Sequence, residues 1–191
     1  MVNYHLIFCH PVAKSLNSYL KDIYLQNLPQ ESDNIQITDL YHDNYNPISP
    51  NQEYLTSELT KVRNSDVLIF QFPIYFSGFP AALHDWIIRV LLDQNPSIIS
   101  GKKVLISITL GGTKALYSEN GGRGSLDSSL MPLFSHIFTK NNSILLQPFV
   151  LFLEDYTNPQ VLENKISLLK SKIQSFSLWP SKTSLLESNS N

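Results

Sequence analysis

The six residues Val67-Leu68-Ile69-Phe70-Gln71-Phe72, closed by Pro73, decide the fold. A strand with one wet face alternates apolar and polar side chains. This run does not alternate, so it reads as a central strand covered on both sides, the mark of a parallel sheet flanked by helices. Upstream, Tyr4–His10 reads as a first strand and Ile35–Tyr41 as a second. Between them Leu16, Tyr19, Leu20 and Ile23 recur at helical spacing behind Ser15, a helix-capping residue type. Gln52–Arg63, with Leu55, Leu59 and Val62 on one face, predicts a solvent-covered helix.

Downstream, a helix is expected over Ala81–Leu92, a fourth strand over Lys103–Thr109, a helix over Ser125–Lys140, a fifth strand over Ile144–Leu153 and a last helix over Pro159–Phe176. Five strands separated by crossover-length connections imply a three-layer α/β domain. It is expected to occupy residues 1–180, with 181–191 as a small, polar, disordered tail.

Composition supports one domain and removes several functions. The chain has 191 residues, 42% hydrophobic, enough for a full core without disulfides or metal. Only 16% of residues are charged and the net charge is −2, with no basic run, which argues against nucleic-acid binding. Cys9 is alone, so no internal disulfide or cysteine zinc cluster can form, and it reads as a small buried hydrophobe. No apolar stretch reaches the roughly 18 residues that span a bilayer, and no signal peptide is legible, so a cytoplasmic protein without membrane insertion is expected.

In open parallel sheets ligands bind beyond the carboxyl ends of the strands. Here these ends carry His10-Pro11 through Ser15-Leu16-Asn17, then Pro73-Ile74-Tyr75-Phe76, then Thr109-Leu110-Gly111-Gly112 and on to Tyr117. The first turn lacks the glycines of a dinucleotide-binding or P-loop site. His10 and Pro73 stand where a phosphate-accepting receiver domain needs aspartates. Ser15 stands where a low-molecular-weight tyrosine phosphatase, with Cys9 as nucleophile, needs an arginine. What remains is a hydroxyl-and-amide turn at a helix N-terminus, suited to a phosphate held without metal. Tyr75, Phe76 and Tyr117 would flank a planar ring, and Gly111-Gly112 would bring backbone amides to its polar edge. A planar heterocycle bearing phosphate is a flavin nucleotide. His84, His136 and Trp86 read as packing or surface residues of helices.

These segments resemble the flavodoxin-like NAD(P)H:quinone oxidoreductases, a family that also holds bacterial modulators of drug activity and ancillary subunits of potassium efflux. The resemblance is carried by His10-Pro11-x-x-x-Ser15-x-Asn17, Asp39-Leu40-Tyr41 with Tyr45-Asn46-Pro47, Asp66 to Tyr75 continuing through Pro80 to Val90, and Gly101-Lys102-Lys103 with Thr109 to Tyr117. It implies a sheet in the order 2-1-3-4-5. It also implies FAD, or FMN, as cofactor, NAD(P)H as co-substrate and a homodimer with flavin at its interface. The reaction implied is ping-pong: NAD(P)H reduces the flavin and leaves, and a quinone then takes two electrons. Cofactor contacts would fall on His10, Ser15, Leu16, Asn17, Pro73, Ile74, Tyr75, Phe76, Thr109, Leu110, Gly111, Gly112 and Tyr117, with Tyr117 and Arg123 catalytic.

The chain departs from the family at three places. Leu110 replaces a threonine, Gly121-Gly122-Arg123-Gly124 stands where many members carry a histidine, and the segment 93–100 is short. An ancillary subunit with little turnover, or an azo- or nitro-reductase, is the alternative.

Overall fold

The computed structural model describes residues 2–29, 34–43, 45–49, 51–93 and 96–176; the tail expected at 181–191 lies outside them. The strands are β1 (Tyr4–Phe8), β2 (Ile35–Asp39), β3 (Val67–Ile74), β4 (Lys103–Leu110), β5 (Ile144–Leu145) and β6 (Phe149–Leu151). The helices are α1 (Leu16–Asn27), α2 (Gln52–Asn64), α3 (Ala81–Trp86), α4 (Leu126–Ser129), α5 (Met131–Phe138), α6 (Leu153–Thr157) and α7 (Pro159–Ser175). All pairings are parallel, in the order β2-β1-β3-β4, with β5 and β6 both paired to β4. All eight residues of β3 are buried, as its unbroken apolar run requires.

The side-chain period of two divides the core between two faces. Leu68, Phe70 and Phe72 join Trp86, Phe134 and Phe138 on the α2–α3–α5 side. Val67 and Ile69 join Leu20, Tyr24 and Leu169 on the α1–α7 side. Gln71 is the polar exception in this strand, and it faces α1.

Proline accounts for two departures from the expected elements. The fifth strand is split: β5 pairs with Lys103 and Val104, β6 with Ser107 to Thr109. Pro148, between them, has no N–H to give the ladder. The helix expected over Ser125–Lys140 breaks at Leu130, because Pro132 cannot donate to the preceding turn. The helix from Ala81 continues as a π-helical turn over Ile87–Leu92, closed by Asp93 N–H on the Ile88 carbonyl at 2.8 Å. Leu153, expected at the end of the fifth strand, instead starts α6, where the Asp155 carboxylate accepts the Phe152 N–H at 2.9 Å.

A buried lysine fastens α2. Lys102, 2% exposed, donates through Nζ to the carbonyls of Arg63 and Ser65 at that helix's C-terminal end. A cation there meets both the leftover carbonyls and the negative end of the helix dipole. Among the described residues no helix is long and apolar enough to cross a membrane.

Candidate functional site

The loops after β1, β3 and β4 meet at the carboxyl end of the sheet. Ser15 caps α1, its Oγ accepting the Ser18 N–H at 3.1 Å, as its residue type predicts. That bond uses an acceptor lone pair of Ser15 Oγ and leaves its hydroxyl proton uncommitted by the cap. The further donors at this end are the first-turn backbone N–H groups of Leu16 and Asn17, which no intrahelical carbonyl reaches, backed by the helix dipole. His10 Nδ1 lies 3.1 Å from the Val12 N–H and 3.2 Å from the Val12 carbonyl, which ties the ring to its own loop.

The Asn17 side chain has protein partners. It is 4% exposed and turned inward: Gln71 Nε2–H donates to its Oδ1 at 2.8 Å, and its own Nδ2–H donates to Thr109 Oγ1 at 3.0 Å. Ser107 Oγ–H completes the chain on Gln71 Oε1 at 2.5 Å. These four neutral side chains tie α1 to the ends of β3 and β4, so the side chains of Asn17 and Thr109 position the cleft. Gln71 and Ser107 are absent from the sequence-derived site. The readable sign was the one polar residue in the otherwise apolar central strand.

Pro73, Ile74 and Leu110 present backbone alone, since Ile74 and Leu110 are 5% and 0% exposed and their side chains belong to the core. The threonine-to-leucine departure at 110 therefore removes nothing from the cleft surface. Beyond Ile74, Tyr75 and Gly78 exchange both backbone hydrogen bonds, at 3.1 and 2.9 Å, around Phe76 and Ser77, whose φ values are +47° and +64°. This is a type I′ turn built without glycine or asparagine at its centre. Two such residues in the left-handed region cost about 1–2 kcal/mol each. The turn lifts Phe76 to 95% exposure and Tyr75 to 45%.

After β4, Gly111 is exposed, with no atom within 4 Å of where a Cβ would stand, whereas a Cβ on Gly112 would lie 2.9 Å from Tyr117 Cε2. Gly112 thus gives Tyr117 room to fold under the loop, 4% exposed and 6.2 Å from the Phe152 ring. Gly121 is equally fixed, because a Cβ would meet the carbonyl oxygens of Ala115 and Leu116 at 2.4 Å. Arg123 closes the loop. Its N–H donates to the Leu116 carbonyl at 3.1 Å, its Nη1–H donates to Tyr117 Oη at 2.7 Å, and its guanidinium carbon lies 5.5 Å from the ring centre.

Carboxylates near these loops are engaged elsewhere: Asp39 with Lys21 at 3.5 Å and Glu154 with the Lys114 N–H at 2.7 Å. Cys9 is fully buried, and burial pushes its thiol up to about 12, which removes it as a nucleophile. A helix start for a phosphate, an exposed aromatic turn for a ring face, open backbone at Gly111 and a guanidinium at the rim fit a flavin nucleotide. The charge a flavin carries would meet N–H donors and a cation there.

The profile of the flavodoxin-like fold family matches residues 3–172. Human ribosyldihydronicotinamide dehydrogenase [quinone] is 24% identical over 91% of this chain and 90% of its own length. Rat NAD(P)H dehydrogenase [quinone] 1 is 27% identical over 96% and 82%. Among solved structures, the NAD(P)H:quinone oxidoreductase of Methanothermobacter marburgensis superposes with a TM-score of 0.73 at 17% identity, covering 92% of this chain and 97% of that one. General stress protein 14 of Treponema denticola, solved with FMN, gives 0.71 at 20% identity, covering 91% and 98%. With the strand-end cleft in place and the family profile matched along nearly all of the described chain, the protein belongs to the flavodoxin-like fold family.

Proposed function

We propose that this chain is a flavin-dependent NAD(P)H:quinone oxidoreductase of the cytoplasm, acting as a homodimer. The observation that carries the reading is the joining of three features at one sheet end: the N-terminus of α1, the Phe76 turn, and the glycine loop locked by Tyr117 and Arg123. The relatives named for NAD(P)H and quinone support the donor and acceptor.

The Leu16 and Asn17 N–H groups would hold the flavin phosphate. Gly111 would face the ring's polar edge, and Phe76 and Tyr75 would pack on its face. FAD is the form the family resemblance favours, and FMN fits the same phosphate turn. When bound, the flavin supplies two-electron transfer between donor and quinone in alternating, ping-pong visits. Tyr117 Oη already accepts from Arg123, so its own O–H proton is the one it can offer to a ligand oxygen. The guanidinium keeps its charge at physiological pH and compensates negative charge arising on reduction, without shuttling a proton. Phe76, Ile48 and Val12, exposed by 95%, 91% and 53% on the loops after β3, β2 and β1, support a second copy covering the site.

The test is reconstitution of purified protein with FMN and with FAD, followed by NAD(P)H oxidation with a simple benzoquinone. A yellow dimer that turns over is expected, and Phe76→Ala should release flavin at least tenfold more readily. A protein that takes up neither flavin overturns the reading. Flavin uptake with negligible turnover on any quinone returns the ancillary-subunit alternative, and turnover confined to azo or nitro compounds returns the reductase alternative.

A further inference from the structure

Beside the glycine loop, a groove of about 670 Å³ follows the open edge of β6, and Tyr117 and Lys114 belong to both. It is lined by Lys165, Leu168 and Lys172 of α7, by the start of α4 and Met131, and by Phe149 and Phe152. Three lysines therefore share the groove with apolar side chains, and Asp127 is the one carboxylate among the lining residues.

The three lysines are not equally satisfied. Lys165 reaches Asp155 at 3.6 Å. Among the described residues neither Lys114 Nζ nor Lys172 Nζ has a carboxylate oxygen within 4 Å, and Glu154 reaches Lys114 only through its backbone N–H, at 2.7 Å. Lys172 is half-buried, bonded through Nζ to the Gln147 carbonyl, and desolvation lowers its proton affinity. A desolvated cation with only a carbonyl for company is a costly arrangement that an anion would repair. Lys165 and Lys172 are seven residues apart on one helix, about 10 Å at 1.5 Å per residue, which matches a ligand carrying more than one charged group.

We infer that this groove receives the phosphorylated adenosine end of the nicotinamide dinucleotide, and that Lys114 and Lys172 make the enzyme prefer NADPH to NADH. The inference rests on the proposed oxidoreductase reading and deepens it. Of the two substrates in that reading, the quinone carries no phosphate and the dinucleotide does. In that reading the phosphate nearest the flavin ring is held by the N–H groups at the start of α1, which line no part of this groove. Tyr117, shared by groove and cleft, is where the nicotinamide end would cross to the ring.

The probe is adenosine 2′,5′-bisphosphate, titrated calorimetrically into the full chain without flavin, with 5′-AMP as comparison. The bisphosphate should bind at least tenfold more tightly than AMP. Lys172→Gln and, separately, the exposed Lys114→Gln should each weaken it about tenfold, the scale of a lost charge-assisted contact. Lys172→Arg should retain most of the affinity. In the flavin-loaded enzyme, Lys114→Gln should raise KM for NADPH about tenfold more than KM for NADH. Equal binding of the bisphosphate and AMP overturns the inference, as does a loss shared equally by NADPH and NADH. FMN uptake measured on the same preparation separates the two readings: uptake without bisphosphate binding overturns the groove alone, and bisphosphate binding without uptake overturns the flavin site alone.

Discussion

Two buried polar networks lie on opposite faces of the same sheet, and they are built from different chemistry. Under the cleft, Asn17, Gln71, Ser107 and Thr109 are all neutral. On the α2–α3 face, Glu58, fully buried, accepts from Thr38 Oγ1–H at 2.6 Å, Trp86 Nε1–H at 3.0 Å and Lys61 Nζ at 2.7 Å. Because Thr38 spends its proton on Glu58, His5 must donate to it through Nε2–H at 2.8 Å, and His5 Nδ1 has no partner among the described residues. The charged network joins β1, β2, α2 and α3 within the core; the neutral one holds up a site meant for anions. A carboxylate in the second place would repel a phosphate at α1, so amides and hydroxyls do the positioning there without a field of their own.

Removing the hub of the charged network should produce the largest effect. Glu58→Ala leaves an indole N–H, a hydroxyl and a partly buried ammonium without their acceptor, and should cost about 3 kcal/mol of unfolding free energy. Urea denaturation measures it, and a loss under about 1 kcal/mol would show that Lys61 and Trp86 find water instead.

The two networks should also separate under acid. Burial, with Lys61 and Lys102 behind it, pushes the His5 imidazole from 6.5 down to about 3. The unfolded chain therefore binds a proton that the folded one refuses. The stability this represents is complete above pH 6.5 and is lost as pH falls toward 3, at up to about 1.4 kcal/mol per unit. His5→Gln keeps a donor for Thr38 and does not titrate. Between pH 6.5 and 4.5 its stability should fall less steeply than that of the parent chain; parallel slopes would remove His5 as the acid-sensitive group.

The two networks were unequally legible in the sequence. The strand run at Val67–Phe72, the Ser15 cap and the strand-end loops follow from local pattern, and all three are where the pattern puts them. The directions of Asn17, Ile74 and Leu110 do not, because a strand-end or helix-start residue can point to cleft or core, and only the packed partners decide. Gln71 was readable as an anomaly, but its partners come from elements 36 and 54 residues away in the chain. The charged network was invisible for the same reason: nothing local joins His5 to Glu58. Pro132 and Pro148 were visible breakers, and their effects on the last helices and strands are what proline dictates.

Asn17→Ala tests the neutral network directly. It strips Gln71 Nε2–H and Thr109 of a shared partner in a buried site and should cost about 2 kcal/mol. Its loss should be the same at pH 7 and pH 5, in contrast to the His5-bearing network, and flavin uptake should weaken as α1 loosens from β3 and β4. A loss that grows toward pH 5 would mean that the two faces are coupled through the sheet.

The smallest expected change is a gain. Ser77 holds φ +64° with a Cβ in a type I′ turn, the position where glycine is preferred. Ser77→Gly removes that left-handed penalty and adds back some unfolded-state entropy, for a net stabilisation of about 0.5–1 kcal/mol, read as a rise in thermal midpoint. The turn stands on the strand that carries Gln71, so in the Asn17→Ala background the gain should persist only if β3 keeps its register with β4. If the gain vanishes there, the neutral network supports the turn as well as the helix, and the strain at Phe76 and Ser77 is held from below.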